Sequence, residues 1–213
     1  MRISHKHKFV FLSVPKTGSS SIREALFPYS DILSNGDTKS PYFHHVSAKV
    51  LKNHFRKMGW NWDDYFKFAF VRDPWDKLVS SYNYALNMAG NTSNLIPDVF
   101  KIKCLEIEKL KGFEEYLEYI RNNMISNQYL NQYLKLYSDE GDLLIDFVGN
   151  FETIQDDFNH ALDEIGLPRV ALPHINKSKH KHFTECYSEQ GRSLVAEMFK
   201  EDVDKFGYTF DNS

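Results

Sequence analysis

Residues 8–26 read KFVFLSVPKTGSSSIREAL, and the fold turns on this stretch. An apolar run of strand length, 8–14, enters a short polar loop, 15–20, which opens a helix over 21–27. The loop holds Lys16, Thr17, Gly18, Ser19 and Ser20, and Ser21 follows at the start of the helix. A strand feeding a turn and a helix leaves backbone N–H groups without partners, and these suit an anion. Gly18 lets the backbone approach a ligand, the hydroxyls add donors, and Lys16 adds a charge. A serine-rich turn that only caps a helix is the plain alternative.

The nucleotide loop G-x-x-x-x-G-K-[ST] is not present. Ser13 stands where its first glycine belongs, the lysine precedes Gly18, and Ser19 occupies the lysine's place. The loop is P-loop-like in form without the ATP or GTP signature.

Working outward, 44–55 (HHVSAKVLKNHF) has the spacing of a helix, and 66–71 (FKFAFV) is a second apolar run of strand length. Asp73 as N-cap and Pro74 at the first helical position open the next helix. Residues 90–111 read as irregular, and 112–120 and 124–136 as helical. A third strand is expected over 143–151, then an amphipathic helix over 153–167 with Thr153 and Asp156 as a capping box. A basic loop, 176–182 (NKSKHKH), precedes a last helix ending near Gly207. Apolar strands alternating with helices predict a P-loop-like, three-layer α/β fold, a central parallel sheet flanked by helices, in one domain over 1–213.

In such sheets ligands gather at the carboxyl ends of the strands. Arg72 stands at the end of the second strand, and Ser80 lies eight residues on in the helix. A guanidinium and a hydroxyl there suit a phosphate, because arginine donates two parallel hydrogen bonds. An ion pair of Arg72 with Asp73, and a solvent-facing Ser80, is the competing arrangement.

With 42% hydrophobic and 26% charged residues, the composition is that of a soluble globular protein. A net charge of −3 argues against nucleic acid as a partner. The two cysteines, Cys104 and Cys186, make no disulfide framework. His5 and His7, His44 and His45, and His180 and His182 are too scattered for a metal site. No run is long enough to span a membrane and no signal peptide is visible, so a cytoplasmic location without membrane contact is expected.

The stretches PKTGSSSI (15–22) and FAFVRDPWDKLVSSY (68–82), in this order, resemble the two signatures of the sulfotransferases that use 3′-phosphoadenosine 5′-phosphosulfate (PAPS), the carbohydrate type above all. Weaker matches are HHVSAK (44–49), DFVGNFETIQDDF (146–158) and EDVDKFGYTF (201–210), while 87–125 matches nothing. The resemblance implies that residues 16–21 hold the 5′-phosphosulfate and that Arg72 and Ser80 hold the 3′-phosphate. It implies sulfonate transfer to a hydroxyl or amine of a small-molecule or oligosaccharide acceptor, with PAPS as co-substrate and no metal. Lys16 would stabilise charge on the leaving group. His45 is the first candidate for the general base, by likeness to an H-x-[ST]-A element; His44 and carboxylates such as Glu106 or Glu108 stay open. Segment 87–125 is the expected seat of acceptor choice. Animal carbohydrate sulfotransferases usually sit in the Golgi behind an anchor, which the cytoplasmic expectation sets aside. A small-molecule kinase with a degenerate P-loop, or a non-catalytic nucleotide-binding module, are the alternatives.

Overall fold

The computed structural model describes residues 1–90, 98–173 and 182–210. The chain forms two compact units, Met1–Arg72 with Leu130–Ile175 and Asp73–Tyr129 with Asn176–Ser213.

The first unit is built on a five-stranded sheet. In chain order its elements are β1 (Arg2–Ser4), β2 (Phe9–Leu12), α1 (Ser19–Ala25), β3 (Ile32–Leu33), α2 (Ala48–Lys57) and β4 (Phe66–Val71). Helix α3 (Pro74–Ala89), α4 (Asp98–Glu108) and α5 (Phe113–Asn122) then follow in the second unit, and α6 (Met124–Leu130) leads back. Helix α7 (Tyr133–Leu136), β5 (Phe147–Asn150) and α8 (Ile154–Glu164) complete the first unit.

The spatial order of the strands is β3-β1-β2-β4-β5. The three strands expected from sequence, β2, β4 and β5, run parallel. The sheet as a whole is mixed, which corrects the expected parallel sheet: β1 pairs antiparallel with both β2 and β3. The cause is local. Residues 5–8 turn the chain back on itself, with Lys8 at φ 54, and antiparallel neighbours need only a tight turn where parallel ones need a crossover. Strands of three and two residues carry too little pattern to be read from sequence.

Helices flank this central sheet. On one face Phe9, Phe11, Phe68 and Phe70 meet Ile22 and Leu26 near α1 and Phe158, Ala161 and Leu162 of α8. Each of these phenylalanines is fully buried, worth about 1.5–3 kcal/mol apiece. Gly149 permits the approach: a Cβ there would stand 2.6 Å from Cε1 of Phe70. Lys67, buried in β4, pairs with Asp146 at 2.9 Å, which is how a strand core tolerates a cation.

Strand β4 matches the sequence reading residue for residue, and α3 begins as expected, with Asp73 accepting from the Asp76 N–H at 2.9 Å. Helix α1 starts at Ser19, two residues early, because Gly18 turns left-handed (φ 70) and its carbonyl takes the Ser21 N–H at 3.0 Å. The stretch read as irregular contains α4. The helix expected over 124–136 is broken at Asn131 and Gln132.

In the second unit α9 (Glu189–Met198) and α10 (Lys200–Phe206) replace the single last helix, with the break at Phe199. Lys77 of α3 and Asp202 of α10 form an ion pair at 3.0 Å with both side chains fully buried. Trp75 packs edge-on to Phe210, and the Tyr187 hydroxyl donates to the Trp75 carbonyl at 2.8 Å. The C-terminal stretch 201–210 therefore supplies partners to the stretch that follows Arg72. Of the basic loop 176–182, only His182 lies within the described residues.

Candidate functional site

The loop and Arg72 meet at the carboxyl ends of β2 and β4. Arg72 Nη1 donates to the Lys16 carbonyl at 3.2 Å. Its guanidinium carbon stands 4.0 Å from the centre of the Phe151 ring, which follows β5, within cation–π range. The same ring comes within 3.3 Å of where a Gly18 Cβ would sit, and Ile154 Cδ1 within 2.5 Å. Position 18 therefore requires glycine twice over, for its φ of 70 and for this contact.

Lys16 adopts φ 65, a left-handed backbone that costs a side-chain-bearing residue about 1–2 kcal/mol. Burial, with the Arg72 charge adding to it, pushes its amine down to about 8. Two cations held this close are a costly arrangement by themselves, and an anion lying between them would offset the cost. Residues 16–21 and Arg72 thus fit the phosphosulfate and phosphate groups of PAPS in charge and in donor chemistry.

The hydroxyls divide by role. Thr17, buried, donates to the Val14 carbonyl at 3.1 Å and so tightens the loop. Ser20 accepts from Arg23 Nη2 at 3.2 Å. Ser19 and Ser21 are buried in the first turn of α1, where no side chain caps the helix. Ser80 is buried in α3, in the second unit.

The two histidines are tied down differently. His45 Nδ1 lies 2.8 Å from the Ser13 carbonyl. A carbonyl only accepts, so Nδ1 carries the proton and Nε2 is the basic nitrogen. His44 Nδ1 instead accepts from Arg23 Nη1 at 3.0 Å and also meets Ser34 Oγ at 2.8 Å. Burial lowers His45 to about 3 and His44 to about 4, Arg23 adding to both shifts, so both are neutral at pH 7. Through Ser13, two residues before Pro15 opens the loop, His45 is bonded to the loop's stem, whereas His44 is bonded to Arg23 on α1.

Sequence reasoning missed three participants. Phe151 lay inside a weaker match, 146–158, while Gln132, whose side chain bonds the Arg72 backbone, fell inside a helix read as unbroken over 124–136 and left no trace. Arg23, which joins Ser20 to His44, had none. Among the described residues no group of three or more His, Cys, Asp and Glu side chains is gathered as metal ligands would be. No described helix is long and apolar enough to cross a membrane.

A family model described as "Sulfotransferase family" matches residues 1–209. Human carbohydrate sulfotransferase 9 is 24% identical, over 97% of this chain and 52% of its own length. Carbohydrate sulfotransferase 14 of Danio rerio is 24% identical over 78% of this chain and 48% of its own length. Carbohydrate sulfotransferase 11 of Mus musculus is 24% identical over 99% and 67%. The chain spans about half the length of the first two. No solved structure matches.

These relatives overturn the expectation of a cytoplasmic location. They belong to the animal carbohydrate sulfotransferases, the Golgi group that the expectation had set aside, and they are longer than this chain. That no described helix is long and apolar enough to cross a membrane therefore locates nothing. Two phosphate-suited stretches in family order, joined in space by Arg72 and Lys16, agree with the match along 1–209: the chain belongs to the sulfotransferase family.

Proposed function

We propose that the protein transfers a sulfonate group from PAPS to a hydroxyl of a carbohydrate acceptor. The observation that carries this reading is the junction of Arg72 with the loop, Nη1 lying 3.2 Å from the Lys16 carbonyl. It lets one unit offer a guanidinium and an ammonium to a nucleotide charged at both ends.

PAPS supplies an activated sulfonate on a good leaving group, so the protein's task is charge stabilisation and proton removal. Lys16, with the backbone N–H groups of Gly18, Ser19 and Ser20 and the hydroxyls of Ser19, Ser20 and Ser21, stabilises the charge that develops on the leaving oxygen. One preorganised donor of this kind is typically worth about 3 kcal/mol of barrier. Thr17 keeps the loop closed through Val14. Arg72 holds the 3′-phosphate. His45, with Nδ1 on the Ser13 carbonyl, turns Nε2 to the acceptor hydroxyl as general base. Negative charge bound nearby raises its proton affinity from the low value of the free protein. Segment 87–125, which contains α4 and α5, selects the acceptor.

The test is incubation of the protein with PAPS and a panel of neutral and acidic oligosaccharides in EDTA, with products read by mass spectrometry. Acceptors carrying one added sulfonate are expected. Products phosphorylated only in the presence of ATP and Mg²⁺ would replace this reading with the kinase.

A further inference from the structure

Strand β4 ends at Val71, whose carbonyl takes the Phe151 N–H at 2.8 Å. Among the described residues the next one, Arg72, has no strand beside it to continue the ladder. Its backbone is held instead by one side chain from 60 residues away. Gln132 Oε1 accepts from the Arg72 N–H at 2.8 Å, and Gln132 Nε2 donates to the Arg72 carbonyl at 2.9 Å. A carboxamide has the donor and acceptor of a peptide, so Gln132 completes the sheet edge as a neighbouring strand would. Gln132 itself is fully buried, at the break between α6 and α7.

We infer that Gln132 is a positioning residue for nucleotide binding, acting through Arg72. The inference rests on the reading that Arg72 grips the nucleotide. The guanidinium has a fixed place relative to Lys16 and Phe151 only if the backbone that carries it is fixed. Loss of Gln132 removes both of these bonds from the buried Arg72 N–H and C=O, and a backbone that loses buried hydrogen bonds shifts to replace them. No other natural side chain matches both bonds at this reach: glutamate keeps the acceptor and loses the donor, and methionine loses both.

The test is a double-mutant cycle read by calorimetric binding of 3′-phosphoadenosine 5′-phosphate (PAP) to the whole chain. Gln132→Met is expected to weaken binding at least tenfold, and Gln132→Glu to a lesser degree. In an Arg72→Ala background the same Gln132→Met change is expected to add less than twofold, because its route of action is gone. A merely structural role would lower the melting temperature and add its full factor in both backgrounds, which overturns the inference. So does unchanged binding in Gln132→Met while Arg72→Ala weakens it. Unchanged binding in Arg72→Ala instead removes the reading beneath. Should Gln132→Met not fold, Gln132→Glu carries the cycle with the same criteria.

Discussion

Phe151 touches both halves of the candidate site: its ring centre lies 4.0 Å from the Arg72 guanidinium carbon, and its edge closes the space beside Gly18. One aromatic ring therefore sets the distance between the cation after β4 and the turn after β2. Its place at the end of β5 makes the spacing a property of the sheet rather than of a loop.

Replacing that ring tests its part directly. A cation–π contact of this kind, between the buried Arg72 and the half-buried Phe151, is worth about 0.5–2 kcal/mol. Phe151→Leu is expected to weaken PAP binding about 3- to 30-fold, and Phe151→Tyr, which keeps the ring, to leave it within twofold. Equal binding by the Leu variant would show that the stack is incidental.

Lys16 is expected to separate stability from activity. Its φ of 65 suits glycine, so Lys16→Gly removes backbone strain and also the cost of burying an ammonium near Arg72. The variant is expected to melt no lower than the parent while sulfonate transfer falls at least about a hundredfold. In the parent, the folded value of about 8 lies below the ordinary 10.5. Between those values the unfolded chain binds more protons, so this group adds stability as pH rises through the window. PAP binding runs the other way, because it needs the charged amine. It is expected to weaken by up to about tenfold per pH unit above pH 8, a slope that Lys16→Gly abolishes.

The histidine pair governs the acid side. His45 and His44 titrate near 3 and 4 in the folded protein against 6.5 ordinarily. At pH 5 both are charged only in the unfolded chain, so stability falls as pH drops below 6.5. The buried His45 costs about 2 kcal/mol by pH 5, and the more exposed His44, screened by solvent, costs less. Proton uptake on unfolding at pH 5 from these two residues is expected to fall from about two to about one in His45→Gln, measured from the pH dependence of urea midpoints. An unchanged slope contradicts the buried neutral state of His45.

The Lys77–Asp202 pair is expected to behave as a buried pair does. Asp202→Asn or Lys77→Met leaves a charge without its partner and should cost about 3–5 kcal/mol, whereas Lys77→Met with Asp202→Leu should cost much less than the two single changes summed. Chemical denaturation of the four proteins decides it. Additive losses would mean that the two charges do not depend on each other.

What the sequence disclosed followed from local physics. Strand β4 is a continuous apolar run of six residues, and Asp73–Pro74 is a helix start whose chemistry is contained in two residues. Those segments emerge as read. The capping box at Thr153 does not form. Asp157, not Thr153, does the work there, its Oδ2 accepting from Asn150 N at 2.7 Å and Thr153 Oγ1 at 2.9 Å. Strands β1 and β3 are held by pairing across the sheet, which no short window records. In the candidate site, Lys16, Gly18 and Arg72 were legible because charge and loop chemistry mark them. Gln132 and Phe151 were not, since their part exists only once distant segments meet: an apolar ring and a carboxamide look ordinary until Arg72 lies against them.

The central claim is that the loop and Arg72 grip one nucleotide together. Titration calorimetry with PAP in EDTA measures it most directly, on the parent, Lys16→Ala, Arg72→Ala and the double variant. Metal-independent binding by the parent, weakened at least tenfold by each single change, is the expected result. Equal affinity in all four proteins, or binding that appears only when Mg²⁺ is supplied with ATP in place of PAP, would contradict it.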